Sequence, residues 1–197
     1  VLIYAYALAP EHRFPVQLDQ SVAVYHAAQD HGLVPGRTAF MGDSCGGGIA
    51  LATMCRLRDA GDTLPACYAG LTPWFDSLQE GDAACHPRGV DPYVNRDWIR
   101  KRFEDYVGPG GDLTDPYASP VRADLAGLPP LYLGVGQIDT TSDDSTRLAA
   151  SAARAGTSVV LDVSAEMIHG FHGLAGFFPE ADDGMARMAE FVRRHIP

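Results

Sequence analysis

Residues 42–48 read Gly-Asp-Ser-Cys-Gly-Gly-Gly, and they stand between two runs of different periodicity. Before them, "TAFMG" (38–42) is short and mostly apolar and reads as a strand. After them, "GGIALATMCRLRDAG" reads as a helix that is apolar nearly all round in its first half, the pattern of a buried helix. A strand that becomes a helix within so few residues must bend sharply. Side chains beside the bend would collide with neighbouring backbone, so glycines are predicted to flank it. Gly42, Ser44 and Gly46 give G-x-S-x-G, a spacing that thrusts a strained serine out above the strand's C-terminal end. Open α/β sheets bind ligands at that end. The competing reading is a glycine-rich turn that cradles phosphate at a helix N-terminus. The chain lacks the GK[ST] ending of a P-loop and the spacing of GxGxxG, which counts against nucleotides.

The rest of the chain alternates in the same way. Strands are predicted at 1–8 ("VLIYAYAL"), 66–72, 131–136 and 158–164. Helices are predicted at 17–31, closed by Gly32, at 143–155, closed by Gly156, and in the tail, where Met185, Met188, Ala189, Val192 and Ile196 share a face. Asn95 is placed to cap a further helix through Trp98, Phe103 and Tyr106 that ends at Gly108. Residues 73–95 and 109–130 read as loops. This order predicts an α/β fold, a mostly parallel sheet with helices on both faces. With 197 residues, 46% of them hydrophobic, the chain fits one domain over 1–197, to which 75–110 contributes a small lid.

Bulk properties exclude some roles. A formal charge of -10 with scattered basic residues disfavours nucleic acid and anionic membrane surfaces. No run is long enough to cross a bilayer, and no signal peptide is evident, so the cytoplasm is the expected compartment. Cys45, Cys55, Cys67 and Cys85 follow no metal spacing and are read as reduced thiols; neither a metal nor a cofactor is expected.

A serine hydroxyl is a poor nucleophile without a base. On such a sheet the partners follow in the order Ser, acid, His, at strand ends. Asp139 follows the strand at 131–136, and His169 follows the strand at 158–164. The rivals are His172 for the base and Asp143 or Asp144 for the acid; the two aspartates more naturally cap the next helix. Cys45 is expected to turn its side chain into the protein and to offer its backbone N–H to an oxyanion. Asp43 is expected to pack beside the bend, and His12 to sit in a buried polar turn with Glu11 and Arg13. His26, His31, His86 and His195 read as surface residues. Trp74 and Phe75 fit either a pocket wall or the core.

Several stretches carry a family resemblance: "YALAPEHRFP" (6–15), "GDSCGGG" (42–48), "LTPWFD" (71–76), "DPYASPVRADLAGLPPLYLGVGQID" (115–139) and "HGFHG" (169–173). In order and spacing they resemble the bacterial hormone-sensitive-lipase family of α/β-hydrolase esterases. The resemblance implies the α/β-hydrolase fold and a serine carboxylic-ester hydrolase acting on short to medium acyl esters through an acyl-enzyme. It implies Ser44 as nucleophile, His169 rather than His172 as base, Asp139 as the orienting acid, and a homodimer. It also implies a His-Gly-Gly-Gly oxyanion loop and the first part of a cap upstream of Val1, so the chain reads as the C-terminal two-thirds of an esterase, impaired if expressed alone. Ala5, Ala7, Cys45 and Gln137 depart from the family's usual residues. Two alternatives stay open: a non-catalytic small-molecule-binding protein of the same fold, and an acyltransferase or amidase using the same three residues.

Overall fold

A computed structural model describes residues 1–82 and 91–196. Among the described residues four strands alternate with helices: α1 (Val16–Asp30), β1 (Ala39–Asp43), α2 (Cys45–Ala60), β2 (Cys67–Leu71), α3 (Arg96–Val107), β3 (Leu131–Gly136), α4 (Ser142–Arg154), β4 (Val159–Ser164) and α5 (Pro179–His195). The strands pair in parallel in the order β1-β2-β3-β4. The two inner strands are the most apolar and the most buried, as expected of a sheet covered on both faces.

Alternation within each strand sorts the core into two layers. Tyr68, Leu131 and Leu133 meet Leu51, Met54 and Cys55 of α2 and Leu148 and Ala152 of α4. Cys67, Ala69 and Tyr132 point the other way, to Met188 and Phe191 of α5. The deepest line of α5 is Ala181, Gly184, Met188 and Phe191, one step round from the face read in the sequence, with Met185 and Val192 at its margin. Helix boundaries follow local chemistry. Gly61 ends α2 in the left-handed conformation (φ 77°), and the Asn95 side chain accepts the Trp98 amide at 3.0 Å to start α3. Trp74, Val94, Ile99 and Phe103 form a third cluster, which packs α3 at the edge of the sheet's loops. Of the stretch read as a lid, residues 83–90 lie outside the described residues, and with them Cys85 and His86.

Residues 1–8 form no strand, contrary to the sequence reading. A strand exists only when its amides pair, and among the described residues none runs beside this segment. Val1, Leu2, Ile3 and Leu8 are exposed. The segment is held by side chains: the Tyr4 hydroxyl donates to Ser21 at 2.7 Å, and Gln20 accepts the Ala7 amide at 2.8 Å. His12 is also exposed rather than buried; its carbonyl accepts from Gln17 at 2.7 Å, so the backbone of this turn, not its charged side chains, is what the core holds. Among the described residues no helix is long and apolar enough to cross a membrane.

His172 is buried where Gly134 of β3, Gly184 of α5 and the Phe171 ring meet. Neither ring nitrogen has a hydrogen-bond partner among the described residues, and burial pushes its pKa from 6.5 down to about 4. As pH falls, the unfolded chain takes up this proton before the folded one does. The folded state is therefore unaffected above pH 6.5 and loses stability between 6.5 and 4, on the order of 2 kcal/mol at pH 4.5. Urea unfolding at pH 7 and 4.5 is expected to show that His172→Leu loses about 2 kcal/mol less than the parent over this interval. Equal losses would contradict the assignment.

Candidate active site

Ser44 closes β1 and opens α2 with φ 54° and ψ -126°, a conformation that costs a non-glycine residue about 1–3 kcal/mol. Hydrogen bonds hold it there. Its amide donates to the Leu71 carbonyl at 2.9 Å, and its carbonyl accepts from Gly47 at 3.0 Å and Trp74 at 3.1 Å. A Cβ on Gly42 would run into the Gly46 carbonyl, one on Gly47 into Pro73, and one on Gly48 into the Trp74 carbonyl. At Gly46 an added Cβ meets nothing within 4 Å, so the steric argument made for that flank does not hold. At Gly47 and Gly48 the crowding comes from the segment after β2, which packs onto the first turn of α2 and of which the spacing of the motif carries no sign; at Gly42 it comes from that first turn itself.

The serine hydroxyl meets a residue 125 positions away: His169 Nε2 stands 2.9 Å from Ser44 Oγ. On the far side of the ring, Nδ1 stands 3.1 and 3.3 Å from the two carboxylate oxygens of Asp139. His169 is 3% exposed and Asp139 1%. Asp139 Oδ1 also accepts the Thr141 amide at 2.8 Å and the Thr141 hydroxyl at 2.9 Å. The structure thus brings Ser44, His169 and Asp139 into one line of hydrogen bonds, and leaves the rivals elsewhere. His172 faces the core under α5. Asp144 does not cap its own helix: its buried Oδ2 accepts the amides of Phe75 at 3.0 Å and Asp76 at 2.9 Å, and burial raises its pKa well above the carboxylate range. Asp143 accepts the Asp82 amide at 3.1 Å.

Three residues of the site were not singled out from the sequence. Thr72, at φ 42°, donates its hydroxyl to Asp43 at 3.1 Å and accepts the Gly170 amide at 3.2 Å. Desolvation raises the Asp43 pKa, and the Thr72 bond opposes that rise. Asp91 accepts the His169 amide at 2.9 Å. Thr141 is the third. Each acts on backbone or carboxylate from a loop, where no periodicity marks it; the place of Thr72 within "LTPWFD" and of Thr141 two residues past Asp139 is a signal for those two, and Asp91 has none.

Cys45 departs from expectation. Its thiol is exposed, 3.6 Å from the Tyr6 hydroxyl, and borders a cavity. That cavity, about 290 Å³, is walled by Tyr6, Cys45, Ile49, Trp74, Trp98 and Phe103 among others. Trp74 lines the cavity, its ring 5.9 Å from the His169 ring, whereas Phe75 is wholly in the core. Cys55 and Cys67 are buried free thiols, and burial pushes Cys55 up to about 12. His26 and His31 are exposed, His26 pairing with Asp62 at 3.1 Å, and His195 is half-buried against Phe191. Among the described residues no group of three or more His, Cys, Asp or Glu is arranged to hold a metal ion.

A family model described as alpha/beta hydrolase fold matches residues 1–173. The chain belongs to the α/β-hydrolase family. Within it, the chain sits with the bacterial hormone-sensitive-lipase esterases. It superposes on the crystal structure of an esterase of that group with a TM-score of 0.94 at 39% identity, covering 98% of this chain and 64% of that one. An acetyl-hydrolase of Streptomyces hygroscopicus is 35% identical over 193 residues, 98% of this chain and 64% of the relative. An esterase of Acinetobacter venetianus is 31% identical over 187 residues, 95% and 62% respectively. This α/β-hydrolase chain therefore spans just under two thirds of the length of these relatives. Gly48→Ala tests the close packing at the bend, where an added Cβ would meet the Trp74 carbonyl. Unfolding experiments are expected to show a loss of about 2–4 kcal/mol, the range of an overpacked or strained core site. A change under about 0.5 kcal/mol, that of an ordinary surface substitution, would contradict the packing described.

Proposed function

We infer that the whole protein is a serine carboxylic-ester hydrolase acting through an acyl-enzyme. The observation that carries this reading is the 2.9 Å approach of His169 Nε2 to Ser44 Oγ, with Nδ1 on Asp139. A hydroxyl so placed can pass its proton to the imidazole as it attacks an ester carbonyl. The imidazolium then returns the proton to the leaving alcohol, leaving Ser44 acylated. Water activated by the same imidazole attacks the acyl group and releases the acid. Asp139 holds the ring in the tautomer with the proton on Nδ1 and stabilises the charge that forms. Thr141, with two donors on Asp139 Oδ1, keeps the carboxylate turned to the ring.

The developing oxyanion needs donors. Cys45 supplies the first amide of α2, one of the amides at a helix start that lack an intrahelical acceptor. An amide directly after the nucleophile is suited to that role, worth about 3–4 kcal/mol in the transition state. The largely apolar cavity beside Cys45 supports short to medium acyl esters as substrates, since its walls offer aromatic and aliphatic surface and its volume is small. The name of one relative, an acetyl-hydrolase, supports the short end of that range.

The test is hydrolysis of p-nitrophenyl acetate and butyrate by the whole protein. Ser44→Ala is expected to abolish turnover. Asp139→Asn, which leaves the shape and offers the wrong hydrogen-bond partner to the ring, is expected to lower kcat by about 10⁴-fold with a smaller change in KM. Turnover that survives Ser44→Ala would refute the reading.

A further inference from the structure

The loop that carries His169 is held largely by acceptors borrowed from other loops. The amides of Glu166, His169 and Gly170 donate to the side chains of Gln137, Asp91 and Thr72. Gln137 and Thr72 directly follow β3 and β2 and are part of the sheet's own edge. Asp91 is not: it belongs to the segment that leads into α3. Asp91 is 6% exposed, and its carboxylate takes three amides among the described residues. Oδ2 accepts His169 at 2.9 Å, and Oδ1 accepts Tyr93 at 2.9 Å and Val94 at 3.3 Å. The chain of bonds continues to the acid of the site, because the Val94 carbonyl accepts from the hydroxyl of Thr140, the neighbour of Asp139, at 3.0 Å. The Tyr93 ring lies along the His169 ring, 6.2 Å between centroids and 23° between planes.

We propose that Asp91 is a positioning residue for His169: its carboxylate fixes the backbone from which the imidazole reaches between Ser44 and Asp139, and ties that backbone to the segment preceding α3. The kinetic consequence rests on the hydrolase reading; the hydrogen bonds do not. Three properties fit the role. An ionised acceptor holds an amide about twice as firmly as a neutral one. Two oxygens let one side chain serve both segments at once. The His169 amide is only two bonds from Cβ, so a shift of the main chain is passed directly to the ring, and a misplacement of about 1 Å at a reacting group costs on the order of 100-fold in rate.

The closing experiment compares Asp91→Asn and Asp91→Ala in the whole protein by two readouts. The first is the split between kcat and KM for p-nitrophenyl butyrate. Asparagine keeps one oxygen and sets an NH₂ group against the other amides, so kcat is expected to fall about ten-fold; alanine keeps neither oxygen, and kcat is expected to fall about 100-fold, with KM within about two-fold in both. The second is the downfield proton resonance of His169 Nδ1–H, which reports its bond to Asp139 and needs no turnover. In both variants it is expected to move upfield or broaden away. If Ser44→Ala proves active, the hydrolase reading falls while this resonance still tests Asp91. Should Asp91→Ala fail to fold, the nearly isosteric Asp91→Asn decides by the same readouts. Variants that keep kcat within two-fold and leave the resonance in place overturn the proposal, even if their thermal stability drops, because Asp91 would then be structural only.

Discussion

A serine held at φ 54° is the constraint on which the rest of this molecule depends. The conformation is unfavourable for any residue with a Cβ, and it persists only because the surroundings leave no other. The Leu71 carbonyl accepts from the Ser44 amide, the Trp74 amide donates to the Ser44 carbonyl, and Gly42, Gly47 and Gly48 let the backbones close to distances that side chains forbid. The bend is therefore not a property of β1 and α2 alone. The segment after β2, packed on the start of α2, helps to hold it.

Parallel pairing does the second part of the work. With β1, β2, β3 and β4 running the same way in that order, their C-terminal ends share one edge. Ser44 leaves that edge after β1, Thr72 and Trp74 after β2, Asp139 after β3 and His169 after β4. Residues more than a hundred positions apart thereby come within hydrogen-bond distance without any long excursion of the chain. The loops are then cross-braced by side chains, Thr141 on Asp139, Thr72 on Gly170 and Asp91 on His169. This bracing is the preorganisation that proton transfer at a fixed distance requires.

Much of this was legible in the residues. The strands at 39–43, 67–71, 131–136 and 159–164 are short apolar runs bounded by turn residues, and Gly61 and Asn95 mark helix ends by their own backbone and side-chain preferences. The placing of Asp139 and His169 just past strand ends was enough to expect them near Ser44. What was not legible depends on partners distant in the chain. Residues 1–8 have the composition of a strand, but strand formation needs a neighbour, and their pattern says nothing of whether one is there. Cys45, one residue past the bend, reads as inward-pointing, yet its thiol is exposed beside Tyr6. Asp144 looked like a cap, yet its carboxylate serves the amides of Phe75 and Asp76, about 70 positions earlier. Asp91 and Thr72 are a common acid and a common hydroxyl in loops, and only coordinates reveal which amides they face.

The central claim is that the imidazole of His169 activates the hydroxyl of Ser44. The most direct measurement is phosphonylation of the whole protein by a fluorophosphonate, followed by mass spectrometry of its peptides. The account predicts one adduct per chain, on Ser44, and none when His169 is replaced by alanine. An adduct on another residue, or labelling of Ser44 at an undiminished rate without His169, would contradict it.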